Sequence, residues 1–319
     1  MPDGHQVFLS EAISIVPRVL GLCDRQSESS TFGCCDRNYW HYRLIDFPNA
    51  RLQEAGLLMA LAASANVNNN PYFGQQSLSD WARAAWRHWL CRRNRDGSVA
   101  EAYPGERSYC ATAFGAAALM ETVRLLGGSD AWSEELNQVH TTLNWLAANE
   151  AHETANQAAA SLWALAGYAH LSDRQDARSW TDRRREEILS MAGPRGVLLE
   201  YGGFDAGYQS ISMAAIARTV RWRNNDDKLE ALLRQGEALL GEHMGINGDS
   251  DPQKNSRYTQ YIYPSALAVL ASPLIARLEK GLAGHSLLRP SWMDDRYCTA
   301  FAIDYFFAGL EAASADVTS

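Results

Sequence analysis

Apolar residues along this chain recur at helical spacing and rarely alternate. The segment 77–93, SLSDWARAAWRHWLCRR, sets Trp81, Ala85, Trp89 and Arg92 on one face. It opens at Ser77 or Ser79, either of which can cap a first turn. Segments 131–149, 174–192 and 226–243 are amphipathic in the same way and heavily charged on one side. One stripe of each must meet solvent, which predicts outer helices. Segments 49–65, 110–126, 155–171, 210–222, 264–272 and 298–314 differ: charges are few and Ala, Gly and Ser abound. Small side chains let helices approach closely, so these predict a crowded inner set. Strand signals are thin, with Val197-Leu198-Leu199 as one short candidate, and residues 66–76 form a turn cluster.

Each inner segment follows a polar loop crowded with aromatic and charged residues. The loops centre near Asn38-Tyr39-Trp40-His41, Glu101 to Pro104, Glu150 to Gln157, Glu200 to Tyr208, Asn255 to Tyr263, and Trp292 to Tyr297. They recur about every 50 residues, the period of a helical-hairpin array. No Gly-, Ser- or Pro-rich linker divides the chain. The pattern therefore predicts an all-α fold: one domain over 1–319, an (α/α)6-type barrel or toroid of about six helical hairpins. An open solenoid is the competing architecture. In either, the loops before the inner helices emerge at one end.

Bulk properties narrow the function. The 319 residues are 46% hydrophobic, enough for a sizeable core. A net charge of -8 and the absence of a basic patch argue against nucleic acid. The N-terminal stretch has no basic region and its apolar run is broken by Ser10, Glu11 and Pro17; no run is long enough to span a membrane. The 6 cysteines are scattered, which predicts reduced thiols and a cytoplasmic protein. Cys34-Cys35 lacks the spacing of a zinc or redox site, and no phosphate-loop, dinucleotide, His-Glu-x-x-His or Gly-x-Ser-x-Gly motif occurs. No metal and no cofactor are expected.

The loops carry the chemistry suited to an anionic sugar. Aromatic faces stack on pyranose rings, carboxylates and His move protons, and Arg forks grip uronate carboxylates. Helix N-termini beneath the loops add positive potential. Candidate catalytic residues are His41, in the densest cluster, Tyr109, Asn156, Glu101 and Asp205. Candidate binding residues are Asn38, Tyr39, Trp40, Tyr103, Arg107, Glu200, Tyr201, Tyr208, Arg257, Tyr258, Tyr261, Asp295 and Arg296. The third loop adds His152. Asp205 and Asp295 also stand where helix caps stand.

The Asp96-Gly97-Ser98-x-x-Glu101-x-x-Pro104 turn leading to Tyr109, with Asn156 opening an inner helix, resembles the α/α-toroid domain of heparinase II/III-like and alginate-lyase-like polysaccharide lyases. The resemblance implies that Asn156 neutralises a uronate carboxylate and that Tyr109 is the base-acid tyrosine, with His41 and Arg107 as further candidates. The expected function is a carbohydrate-active enzyme that eliminates or hydrolyses at a uronic-acid-containing glycan, with a small-molecule or oligosaccharide ligand. For hydrolysis, Glu101 and Asp205 would be the paired carboxylates. The alternatives are a terpenoid-cyclase-like cyclase or isomerase, favoured by an apolar lumen, and a non-enzymatic glycan- or peptide-binding scaffold.

Overall fold

The computed structural model describes residues 6–151 and 153–316, with side chains through Glu311 in the last helix. His152 lies outside the described residues. The elements are helical: α1 Gln6–Leu22, α2 Arg37–Trp40, α3 Ala55–Ser64, α4 Gln76–Cys91, α5 Tyr109–Leu125, α6 Gly128–Ala131 and α7 Ser133–Ala148. There follow α8 Ala155–Ser172, α9 Gln175–Met191, α10 Ala206–Arg223, α11 Asp227–His243, α12 Ser265–Val269, α13 Ile275–Ala283 and α14 Asp295–Asp316. Among the described residues Val197-Leu198-Leu199 forms no strand, and extended pairing is limited to isolated bridges such as Thr154–Glu200. No helix among them is long and apolar enough to cross a membrane.

Burial separates the two kinds of helix as composition predicts. α3 is buried from Ala55 to Ala63, and α8 is buried from Ala155 to Tyr168 except at Gln157. By contrast α11 buries one stripe, Leu229, Leu232, Leu233, Gly236, Leu239 and Leu240. Inner helices pack in succession: α3 on α5, α5 on α8, α8 on α10, α10 on α12, α12 on α14, and α14 on α3. Outer helices back them, with α1 on α14, α4 on α3, α9 on α8 and α11 on α10. The tryptophans of α4 show why small residues are needed inside. A Cβ on Gly56 would fall 2.7 Å from the Trp86 ring, and one on Gly115 would fall 2.9 Å from Trp89. Gly115→Ala should therefore cost about 1–2 kcal/mol in urea titration despite its better helix propensity; an unchanged midpoint would mean that Trp89 can shift.

Several boundaries differ from the pattern reading. α4 begins at Gln76 and has no side-chain cap, so neither Ser77 nor Ser79 plays that role. The first inner segment starts as a 3-10 turn, Ala50–Glu54, capped by Asn49. The fifth, expected over 264–272, ends at Val269. There Ala271 turns left-handed (φ 49°) and Pro273 cannot continue a helix. The helices α1 and α13 carry no distinctive loop, and the pattern reading did not single them out. α1 contains Pro17 and still buries Phe8, Ile15, Val16 and Val19.

Candidate functional site

Backbone hydrogen bonds join the loops before the inner helices to one another. Ala50 N–H donates to Ala100 O, Tyr201 N–H to Glu153 O, Ala155 N–H to Leu199 O, and Ser256 N–H to Phe204 O. Non-glycine residues take left-handed backbone at Glu153, Tyr201 and Tyr258 (φ 59°, 50° and 56°). Such conformations persist where surrounding contacts over-determine them. Here the Tyr201 N–H bond and the reciprocal bonds of Glu200 with Gly203 hold the turn.

The joined loops surround a cavity with about 300 Å³ open to the centres of water-sized molecules. Every inner segment contributes: Arg51 before α3, Glu101, Cys110 and Phe114 around the start of α5, and Asn156 and Gln157 on α8. Glu200, Tyr201, Tyr208 and Ile211 come from the α10 region, Arg257 and Tyr263 from before α12, and Arg296, Tyr297 and Ala300 from α14.

Glu200 is the chemically distinctive group in this mouth. It is 3% exposed, and its carboxyl accepts a 2.6 Å hydrogen bond from Asn156 Nδ2. Burial pushes its pKa up to about 7; the Asn156 bond and the Arg257 charge oppose that rise and Asp205 adds to it. A carboxyl titrating near neutrality inside a cleft is poised to accept or donate a proton at working pH.

The cations around it are unequally committed. Arg51 pairs with Glu54 and also donates to Cys110 Sγ at 3.0 Å. Arg296 pairs with Glu101 at 2.8 Å, while its buried Nε has no partner among the described residues. Arg257 forms no ion pair with a carboxylate among the described residues and lies over the Tyr201 ring, 4.7 Å from its centroid. It is the cation most available to an anionic ligand. Tyr208 and Tyr297 both line the mouth, and burial raises the Tyr208 pKa, so its hydroxyl stays protonated at neutral pH.

Next to the mouth, and sharing Arg51, Phe114, Ile211, Tyr263 and Ala300 with it, lies a largely apolar throat with about 50 Å³ open to water-sized centres. Leu57, Phe114, Trp163, Ile211, Ile303 and Phe307 form its walls, and Arg218, Asp304 and Ser265 its polar floor. Asp304 accepts from Ser265 N–H at 3.1 Å and from the Ser265 hydroxyl, and burial raises its pKa to about 6.

Several sequence candidates lie elsewhere. Tyr109 packs against Trp145 (5.9 Å between centroids) and Arg184, away from the mouth, and burial raises its pKa to about 12. His41 is exposed, its ring against Trp40 and Tyr42. Its loop docks on the end of α1, where Trp40 Nε1 donates to Leu22 O, while Tyr39 accepts from Arg92; Asn38 is exposed. Asp205 is fully buried as the α10 cap, accepting from Tyr208 N–H, Arg257 N–H and the Thr259 hydroxyl, and it does not line the cavity. Arg107 pairs with Asp96, and Tyr103 is 61% exposed. Asp295 pairs with Arg18, and Asp294 is the residue that accepts from the first N–H groups of α14. Tyr258 and Tyr261 line a neighbouring outer groove with Tyr208 and Tyr297.

Sequence reasoning missed Arg51. It sits in an Asn-Ala-Arg-Leu-Gln-Glu stretch that reads as ordinary helix, and only the Arg-x-x-Glu spacing hinted at its pair with Glu54. No family model and no curated protein sequence matches this chain.

Proposed function

We propose that this chain is an α/α-toroid enzyme that removes a proton from a uronate-bearing oligosaccharide, with Glu200 as base. The single observation that carries the reading is Glu200 itself: buried in the mouth, held by Asn156, titrating near 7 and facing an uncommitted Arg257. The succession of inner-helix contacts from α3 round to α14 and back to α3 supports the toroid.

In this mechanism Arg257 receives the uronate carboxylate and stabilises the negative charge that builds on it. Glu200 takes the proton from the ring carbon bearing that carboxylate. The released electron pair forms a double bond to the adjacent ring carbon, whose bond to the glycosidic oxygen breaks. Tyr208 donates its proton to that oxygen and is reprotonated from solvent as Glu200 releases its own. Elimination is preferred over two-carboxylate hydrolysis because both oxygens of Glu101 are engaged, one by Arg296 and one by the Ser108 hydroxyl, and Asp205 is a cap. Asn156 orients Glu200 rather than neutralising substrate, which reassigns the role that the lyase resemblance implied.

Incubation with a panel of uronate oligosaccharides should give the ultraviolet absorbance of an unsaturated product, lost in Arg257→Ala. The apolar throat favours a second reading, isomerisation of a small anionic molecule with an apolar segment. No absorbance rise and no new reducing ends across the panel would overturn the elimination reading in favour of this one.

A further inference from the structure

Arg218 sits at the floor of the throat, 2% exposed, far below the groups assigned to proton transfer. Its Nη1 reaches Glu311 at 3.1 Å, and its plane lies over Phe307, 4.3 Å from the ring centroid. Among the described residues its buried Nε and Nη2 have no hydrogen-bond partner. These two atoms form the edge of a guanidinium whose N–H bonds run parallel, the arrangement that matches both oxygens of a carboxylate. Leaving two charged donors unmet inside the protein is costly, and such groups are rare without a functional reason.

The neighbouring acids leave that edge unmet. Glu311 is shared, because the same oxygen that meets Arg218 also pairs with Arg221. Asp304, the other acid on the floor, is turned to the Ser265 N–H and hydroxyl and makes no ion pair with Arg218. Glu121 is occupied by Trp163, Trp222 and Arg124. The charge of Arg218 is thus met by Glu311 and by the nearby Asp304 carboxyl, but among the described residues its buried Nε and Nη2 edge has no acceptor.

We propose that the throat is a carboxylate-binding site, in which the Nε and Nη2 edge of Arg218 holds the carboxylate of a short aliphatic acid. Leu57, Ala118, Ile211, Ala214 and Ile303 line the channel and receive the hydrocarbon part. The open space amounts to a few water molecules, which limits the acid to roughly two to four carbons. The ligand enters through the mouth, since Arg51, Phe114, Ile211, Tyr263 and Ala300 line both spaces. This site is separate from the uronate reading: its anion is held by Arg218 and not by Arg257, so each assignment can fail alone.

Calorimetric titration of the full chain with acetate, propionate and butyrate tests the proposal, with chloride and the matching primary amides as controls. The acids should bind saturably, and chloride and the amides should not. Affinity should fall at least tenfold in Arg218→Gln. It should fall similarly in Ala214→Leu, which fills the channel and leaves the charge in place. Helical circular dichroism checks that each variant folds, and where Arg218→Gln does not, Ala214→Leu carries the test. Absence of saturable binding by all three acids, equal binding of the amides, or undiminished binding in a folded variant overturns the assignment.

Discussion

Glu200→Gln is expected to abolish proton transfer and to stabilise the protein at the same time. A positioned acid or base contributes about 10²–10⁴-fold to a rate, and an amide cannot take the proton, so the loss should fall in that range. In the parent chain the rate should rise as pH passes through about 7 and Glu200 loses its proton. The stability effect runs the other way. The carboxyl titrates near 4.5 when exposed and near 7 when folded, because burial penalises its charge. Between those values the folded state keeps a proton that the unfolded state has lost, so stability falls as pH rises. The penalty is absent below about 4.5 and complete above about 7, amounting to about 3 kcal/mol. Gln removes that penalty and keeps an oxygen for the Asn156 bond. Its melting temperature should exceed the parent's by a few degrees at pH 8 and match it at pH 4, an order of magnitude set by chain size. Equal melting temperatures at both pH values would show that Glu200 is solvated and does not titrate near neutrality.

Glu121→Ala should be among the most damaging single changes in the helical core. Glu121 is fully buried on α5, and one of its oxygens accepts from Trp163 Nε1 on α8 (3.0 Å) and from Trp222 Nε1 on α10 (2.8 Å). The other oxygen pairs with Arg124 at 2.9 Å. Truncation leaves two indole N–H groups unsatisfied, opens a cavity and strands the Arg124 charge. Removing one partner of a buried charged network costs about 3–5 kcal/mol, read as a lower midpoint in urea titration. Glu121→Gln keeps an acceptor for the tryptophans and should lose less than half as much. A loss below about 1 kcal/mol in the Ala variant would mean that water replaces the carboxylate.

Periodicity and composition settled the helical class, the two kinds of helix and the loops worth inspecting. These are local properties: a stripe of Leu on α11 and a run of Ala and Gly on α8 can be read without knowing their neighbours. Glu200, Tyr201, Tyr208, Arg257 and Arg296 were legible as members of polar loops at helix starts, because a loop before an inner helix has little else to be near than the other loops. Their roles were not legible. Asp205 and Glu200 are acids five positions apart in one loop, yet Asp205 is engaged as a cap while Glu200 lines the cavity. The left-handed turn at Tyr201 and the bonds from neighbouring loops make that difference, and both depend on residues remote in sequence. Tyr109 stands at a promising position in its loop, but the helix rotation points it at Trp145 and brings Cys110 to the mouth instead. Arg51 and Arg218 were invisible within helical patterns, because a cation inside a helix gains its meaning from what lies across the gap. The sequence by itself determined the helical class and, for most of the helices, whether one stripe or nearly the whole surface is buried, since spacing and side-chain size act within one helix. Tertiary structure alone decided which polar groups meet in the mouth and throat, and hence which are desolvated enough to do chemistry.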